Sequence, residues 1–172
     1  MAILLDQRGI AQTLERLADQ VHSALDPAVP VGVVGIRSRG ELLAQRLTRA
    51  LTERGRRDLV HGSLDITLYR DDLAEIGPAA VVRRTEIDFD VRGRLILLVD
   101  DVLFTGRSVR AAIDALMDLG RPRAIRLAVL VDRGGRELPI QADFVGIRTE
   151  TPQRQVAVRL VESDGTDQVE TA

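Results

Sequence analysis

The chain has 172 residues, with 24 basic and 26 acidic side chains and a formal charge of −2. That size and balance fit a single folded unit over residues 1–172 and argue against bulk electrostatic binding to nucleic acid. There is no cysteine, and every basic residue is an arginine; disulfides, thiolate metal sites, thiol nucleophiles, Schiff-base lysines and Walker-type phosphate lysines are all excluded. Phosphate recognition must then use arginine, backbone N–H groups, hydroxyls or a metal.

In chain order, MAILLDQRG lacks the basic start and longer apolar stretch of a signal peptide. No apolar run approaches the ~18 residues that cross a bilayer, so a cytoplasmic protein is expected. Asp6 caps a helix to about Leu25, with Ile10, Leu14, Leu17 and Val21 at helical spacing. VGVVGI (31–36) reads as a short buried strand, and RSRG leads into a helix from about Glu41 to Gly55. SLDITLYR (63–70) alternates and is expected to be a strand; the charged stretch after it, to residue 93, is expected to be an exposed two-stranded arm or loop. RLILLVD (94–100) is a continuous strand of the parallel kind, followed by a helix through Leu116 that stops at Gly120. AIRLAVLVD (124–132) is another core strand, residues 133–147 an irregular excursion, and QVAVRLVE (155–162) a last strand before a loose polar tail. The alternation implies an α/β fold, a doubly wound parallel sheet of about five strands flanked by helices. In such sheets ligands bind where strand carboxyl ends meet helix starts.

Asp100 and Asp101 stand at such an end, in DDVLFTGRS (100–108). Burying two adjacent charges is costly, so the pair is expected at a solvent-reachable edge. Backbone N–H groups from Phe104 to Ser108 lead into a helix N-terminus that favours a phosphate. Gly106 permits close approach, Thr105 and Ser108 add hydroxyls, and Arg107 adds charge. With two carboxylates upstream to accept from a vicinal diol, the nonamer describes a ribose 5-phosphate site. An ordinary helix cap is the plain alternative for any single residue of it.

LILLVDDVLFTGRS resembles the phosphoribosyl-pyrophosphate (PRPP) signature of type I phosphoribosyltransferases. VVGIRSRGELLAQRL (33–47), LDITLYRDDL (64–73) and GRPRAIRLAVLVDRGGRELPIQADFVG (120–146) look like the PyrR group, pyrimidine-operon attenuation regulators with uracil phosphoribosyltransferase activity. The resemblance implies the type I phosphoribosyltransferase fold, with a small hood at about 132–152 and a β-arm at about 70–93. It implies that Asp100 and Asp101 hold the ribose hydroxyls and, mainly indirectly, a Mg²⁺ ion. Thr105, Gly106, Arg107 and Ser108 would cradle the 5-phosphate, with Val102, Leu103 and Phe104 also contributing to PRPP and UMP binding. Arg37, Ser38, Arg39 and Gly40 would form the pyrophosphate loop, and Arg70 and Arg83 would be arm clamps on the leaving group. Arg133 would face the pyrophosphate, Phe144 would stack on the base and Val145 would offer it backbone hydrogen bonds. Phe144 as a plain core residue is the alternative.

The hood departs from the family pattern at Gly135, Ile147 and Arg148, within a segment running to Glu150, Thr151 and Pro152, and Phe104 stands where the family has tyrosine. Purine enzymes often carry a carboxylate base there, so no general base is evident. The first helix carries Glu15 and Asp19 beside Arg16, the candidate RNA contact; Arg46, Arg49, Arg54, Arg56 and Arg57 form a basic run that compensates or is simply a solvated face. The resemblance implies PRPP, uracil and UMP as ligands, pyrimidine-operon leader mRNA as a partner bound in a UMP-dependent way, and a homodimer or higher homo-oligomer. A nucleotide-sensing RNA-binding regulator without transferase activity and a purine salvage enzyme are the competing readings.

Overall fold

The first helix starts where the sequence places it. The Asp6 carboxylate accepts from Gly9 N–H at 2.7 Å, and α1 runs Gln7–Ala24 with Ile10, Leu14, Leu17 and Val21 on its buried face. In the computed structural model, which describes residues 1–149 and 152–172, a strand β1 (Ala2–Leu5) precedes this helix, and β2 (Val31–Ile36) and α2 (Arg39–Glu53) follow it. Next come β3 (Val60–Leu64), the one-turn helix α3 (Leu73–Ile76), β4 (Leu95–Leu103) and α4 (Arg107–Leu119). The chain ends with β5 (Ala124–Asp132), β6 (Phe144–Arg148), β7 (Val156–Arg159), the short helix α5 (Val161–Asp164) and β8 (Gln168–Thr171).

Five parallel strands form the main sheet in the order β3-β2-β4-β5-β6. Both of its faces are covered, which is why β2 is buried at every residue. Leu97 and Val99 of β4 join a core with α1 and α2; Ile96 and Leu98 join the opposite core with α4. That is the doubly wound α/β arrangement expected. Among the described residues no helix is long and apolar enough to cross a membrane.

Several elements differ from expectation for identifiable reasons. The strand expected over 63–70 ends at Leu64, because the Asp65 carboxylate accepts from both Thr67 N–H (3.0 Å) and Thr67 Oγ1 (2.6 Å) and folds the chain into a 3₁₀ turn at Thr67–Tyr69. The arm is not a β-arm: it contains α3 and a second 3₁₀ turn, Gly77–Ala79, and its only ladder contact among the described residues is a single bridge, Ser63 with Glu86. The fifth strand of the main sheet is β6, inside the excursion expected to be irregular. The expected last strand, β7, leaves that sheet and pairs with β8, which also pairs with β1. Thus the hood extends beyond the expected 132–152 to a second sheet built from both chain ends, and the tail expected to be loose buries Val169, Glu170 and Thr171.

One close contact sets the distance between α2 and the sheet. A Cβ on Gly35 would run into the Gly40 carbonyl oxygen and the Glu41 backbone, and one on Gly40 would lie 2.6 Å from the Val99 carbonyl oxygen. Backbone therefore packs on backbone where α2 begins beside β4. Gly35→Ala is expected to lower unfolding stability by about 2–3 kcal/mol, since the obstacles are main chain and cannot swing aside; urea unfolding of the two proteins measures it.

Candidate nucleotide site at the carboxyl edge of the sheet

The carboxyl ends of β2 and β4 and the starts of α2 and α4 converge on one edge. Asp100 and Asp101 lie within β4 rather than after it, since the strand continues to Leu103. Successive strand residues face opposite sides, yet the Asp100 carboxyl stays close enough to that of Asp101 to feel its charge. Asp101 is half-buried and lines a cleft of about 410 Å³ together with Arg39, Gln155, Arg159 and Asp164. Asp100 is 8% exposed, and its Oδ1 accepts from Asp101 N–H at 2.9 Å, while Asp101 Oδ1 accepts from Val102 N–H at 2.8 Å. Burial first, and the neighbouring Asp101 charge second, hold the Asp100 carboxyl well above the usual carboxylate range.

The loop after β4 turns on Gly106, which is left-handed at φ 92° and caps α4. Thr105 Oγ1 accepts from Arg107 N–H at 3.2 Å, and the Thr105 carbonyl accepts from Glu137 and Leu138 N–H at 3.0 and 3.1 Å. A cavity of about 200 Å³ beside it is lined by Arg70, Asp71, Asp72, Thr105, Arg107 and Ser108. Arg107 pairs with Asp71 of the arm at 2.6 Å and with Glu137 of the hood at 2.8 Å. The turn 104–108 thus opens directly onto the start of α4. Leu103, in contrast, is a core side chain at 1% exposure, and Val102 is half-buried in the sheet; both are paired with β5.

The turn 37–40 joins β2 to α2 through a cis Arg37–Ser38 peptide. Arg37 pairs with Glu41 at 3.3 Å and with Glu86 at 3.5 Å, and Ser38 precedes α2 without a side-chain cap bond. Arg39 turns to the hood, where it makes a forked pair with Asp164 at 3.3 and 2.8 Å. On the arm, Arg70 pairs with Asp72 at 2.7 Å. The Arg83 side chain is exposed and, among the described residues, makes no ion pair; its N–H donates to the Asp65 carboxylate.

Two hood expectations, those for Phe144 and Arg133, are corrected. Phe144 is 6% exposed within the core on the α1 and α2 face, and Val145 is buried in the core on the other face. Both lie within β6, paired with Ala128 and Val129, so the buried Phe144 ring does not face a base, while the backbone of Val145 lies in an edge strand of the sheet. Arg133 does not reach towards the turn 37–40: its guanidinium carbon sits 3.8 Å from the centroid of the Phe104 ring, and one of its nitrogens donates to the Pro152 carbonyl. The partly exposed Phe104 is therefore the aromatic side chain of the site. Gly135 explains its position, because a Cβ there would lie 2.9 Å from Phe104 Cδ2 and closer still to Cε2. Glu150 and Thr151 lie outside the described residues.

Sequence reasoning missed Arg136, which donates to Asp132, to the Ile140 carbonyl and to the Phe104 carbonyl at 2.7–2.8 Å and so ties the hood to the phosphate loop. The Asp-x-x-x-Arg spacing from Asp132 was its only signal. Asp71, Glu137 and Asp164 carried none. Arg16, the candidate RNA contact, is exposed and donates to Thr13 Oγ1 at 3.1 Å in a cleft of about 650 Å³ between α1 and α2. Three of the five clustered arginines are engaged: Arg46 with Glu162 and Asp167, Arg54 with Glu15 and Asp19, and the buried Arg56 with Asp58 and two carbonyls.

The phosphoribosyl transferase domain family matches residues 2–164. The bifunctional protein PyrR of Deinococcus radiodurans is 49% identical over 170 residues, covering 98% of this chain and 93% of that protein. Its namesake from Thermus aquaticus is 51% identical, covering 98% and 94%. Among solved structures, the hypoxanthine phosphoribosyltransferase of Trypanosoma cruzi superposes with a TM-score of 0.73 at 18% identity, covering 99% of this chain and 95% of that one. An enzyme of Leishmania tarentolae in complex with GMP gives 0.72 at 15%, with 99% and 95% covered. Those two likenesses establish the fold.

The buried carboxyl has a measurable consequence. Because the folded-state pKa of Asp100 is raised, the folded chain holds that proton more tightly than the unfolded chain does. The stability so conferred is complete below the unfolded value of about 3.8 and is lost as pH rises through the folded value. Asp100→Asn, which keeps the Oδ1 acceptor without the charge, is expected to make the ligand-free protein more stable than the parent by about 1–3 kcal/mol at pH 8. The difference should vanish near pH 4; urea unfolding across that range measures it.

Proposed function

The chain belongs to the phosphoribosyl transferase family and to its PyrR group, and on that premise we propose that it converts uracil and PRPP to UMP and pyrophosphate and couples UMP to binding of pyrimidine-operon leader mRNA. The observation that carries the transfer reading is the turn Phe104–Ser108, opening α4 at the same sheet edge as Asp101 and the turn 37–40. A ribose 5-phosphate bridges that span, with its phosphate on the N–H groups and hydroxyls of Thr105–Ser108 and its diol towards Asp101.

The reaction forms a bond from uracil N1 to the anomeric carbon, breaks that carbon's bond to pyrophosphate and releases the N1 proton. The chain's own work is to hold both ends of the sugar, meet the departing charge and exclude water. Arg37 and the turn 37–40 receive the pyrophosphate, Arg83, an arm cation with no ion pair among the described residues, closes over it, and Phe104 flanks the base. Hard carboxylate oxygens at Asp100 and Asp101 suit Mg²⁺. Asp100 and Asp101 would hold the ion, mainly indirectly, beside the ribose hydroxyls and the pyrophosphate. When bound, Mg²⁺ neutralises the leaving group. The raised pKa of Asp100 fits a carboxylate that ionises fully once a cation arrives.

We read the protein as a cytoplasmic homodimer or higher oligomer; exposed Leu68, Val81 and Val82 on the arm supply apolar surface for assembly. For RNA, Arg16 and Arg49 are the cleft cations without a carboxylate partner among the described residues, and pairing of Glu15 and Asp19 with Arg54 removes much of the repulsion those acids bring.

Incubation with Mg²⁺, PRPP and, separately, uracil, hypoxanthine and guanine should yield UMP alone, with Asp101→Asn lowering the rate by at least about 100-fold. PRPP binding without turnover of any base would replace transfer with nucleotide sensing, and IMP or GMP formation would identify a purine enzyme. Filter binding should show leader RNA held more tightly with UMP than without, and more tightly than scrambled RNA. Replacing Arg16 and Arg49 together by alanine is expected to reduce the slope of log affinity against log salt by about 1.4. Equal affinity for scrambled RNA would remove the regulatory half of the proposal.

A further inference from the structure

Asp164 lies in a stretch with no sequence signal for chemistry, yet it accepts four hydrogen bonds. They come from Leu160 N–H (2.9 Å), Ser163 Oγ (2.8 Å), Arg39 Nε (3.3 Å) and Arg39 Nη2 (2.8 Å). These donors hold its carboxyl down to about 2. Its side chain is 19% exposed, on a helix packed at the rim of the cleft that Asp101 lines. Two turns further along α2, Arg46 makes a second contact with the same hairpin through Glu162 and Asp167. That pair docks the hood; the Arg39 pair lies at the first residue of α2, next to Gly40, whose backbone packs on β4.

The forked geometry fixes both the distance and the plane of the guanidinium. Releasing Arg39 to grip a phosphate would leave Asp164 a half-buried carboxylate without its cation. We infer that Asp164 is a positioning residue: by holding Arg39 it sets the turn 37–40 in the place that receives the pyrophosphate group, leaving recognition of that group to Arg37 and to the N–H groups at the start of α2. Resting on the transfer reading, this assigns a role in leaving-group binding to the carboxyl-terminal hairpin, and it makes Arg39 an anchor rather than a clamp.

Calorimetry separates the positioning effect from simple hood stability, because UMP fills the ribose phosphate site without a pyrophosphate while PRPP fills both. Asp164→Asn is expected to weaken Mg²⁺–PRPP binding about tenfold while UMP affinity stays within about twofold. Arg39→Lys, which keeps the charge and loses the fork, is expected to do the same, and the double variant should be no worse than the weaker single one. Asp167→Asn, at the docking pair, should leave PRPP affinity within about twofold. Tighter PRPP binding by Asp164→Asn would overturn the inference, since Arg39 would then be a clamp for which Asp164 competes. Equal losses for PRPP and UMP, additive effects in the double variant, or the same PRPP loss in Asp167→Asn would overturn it too. If Asp164→Asn fails to fold, Arg39→Lys and Asp164→Glu carry the same comparison. A parent protein that binds neither ligand would instead remove the transfer reading.

Discussion

Where α2 meets the sheet there is no room for side chains: Gly35, Gly40 and the Val99 carbonyl bring three pieces of backbone into direct contact. That contact places the turn 37–40 against β4 just before Asp100 and Asp101. The carboxylates, the free N–H groups of α2 and the turn into α4 then share one edge. Parallel strands leave their carboxyl ends at the same side, and α2 and α4 both start there. Helix starts, whose dipoles favour anions, and carboxylates are therefore juxtaposed by topology before any side chain is chosen.

Charge at this edge is balanced by pairs from distant segments. Arg37 is held by Glu41 and Glu86, Arg39 by Asp164, and Arg107 by Asp71 and Glu137. Arg37, Arg39 and Arg107 each have carboxylate partners, and most of those partners belong to the arm or the hood. A partly buried arginine left unpaired would carry a desolvation cost. The carboxylates keep the arginines ordered and tie the movable parts of the molecule to the groups that meet the ligand. The exposed pairs among them contribute little to stability individually. Their effect is on geometry.

The hood shows how an altered local sequence is absorbed. Gly135 leaves space for the Phe104 ring, and Arg133 covers that ring, while Arg136 ties Asp132 to the Phe104 carbonyl. The aromatic group beside the site therefore comes from the phosphate loop rather than from β6, whose Phe144 and Val145 fill the two cores. A stacked guanidinium and a ring are both flat and apolar on their faces, so they pack closely without a buried polar mismatch.

The amino-acid sequence by itself determined what depends on neighbours a few residues apart. The strands at 31–36 and 124–132, the cap at Asp6, the left-handed turn at Gly106 and the phosphate loop opening α4 all follow from periodicity, capping chemistry and glycine. What only the tertiary structure decided depends on partners far along the chain. Alternation at 63–70 resembles a strand, but Asp65 closes a local turn that ends it. The short segments at 2–5 and 168–171 carry too little pattern to be recognised singly; they become strands by pairing with each other and with the strand legible at 156–159, which leaves the main sheet to join them. The depth of Phe144 and the direction of Arg133 follow from β6 joining the main sheet. Asp164 and Arg39 are 125 residues apart, and no local periodicity encodes a contact across that separation; folding the chain ends into one hood brings them together.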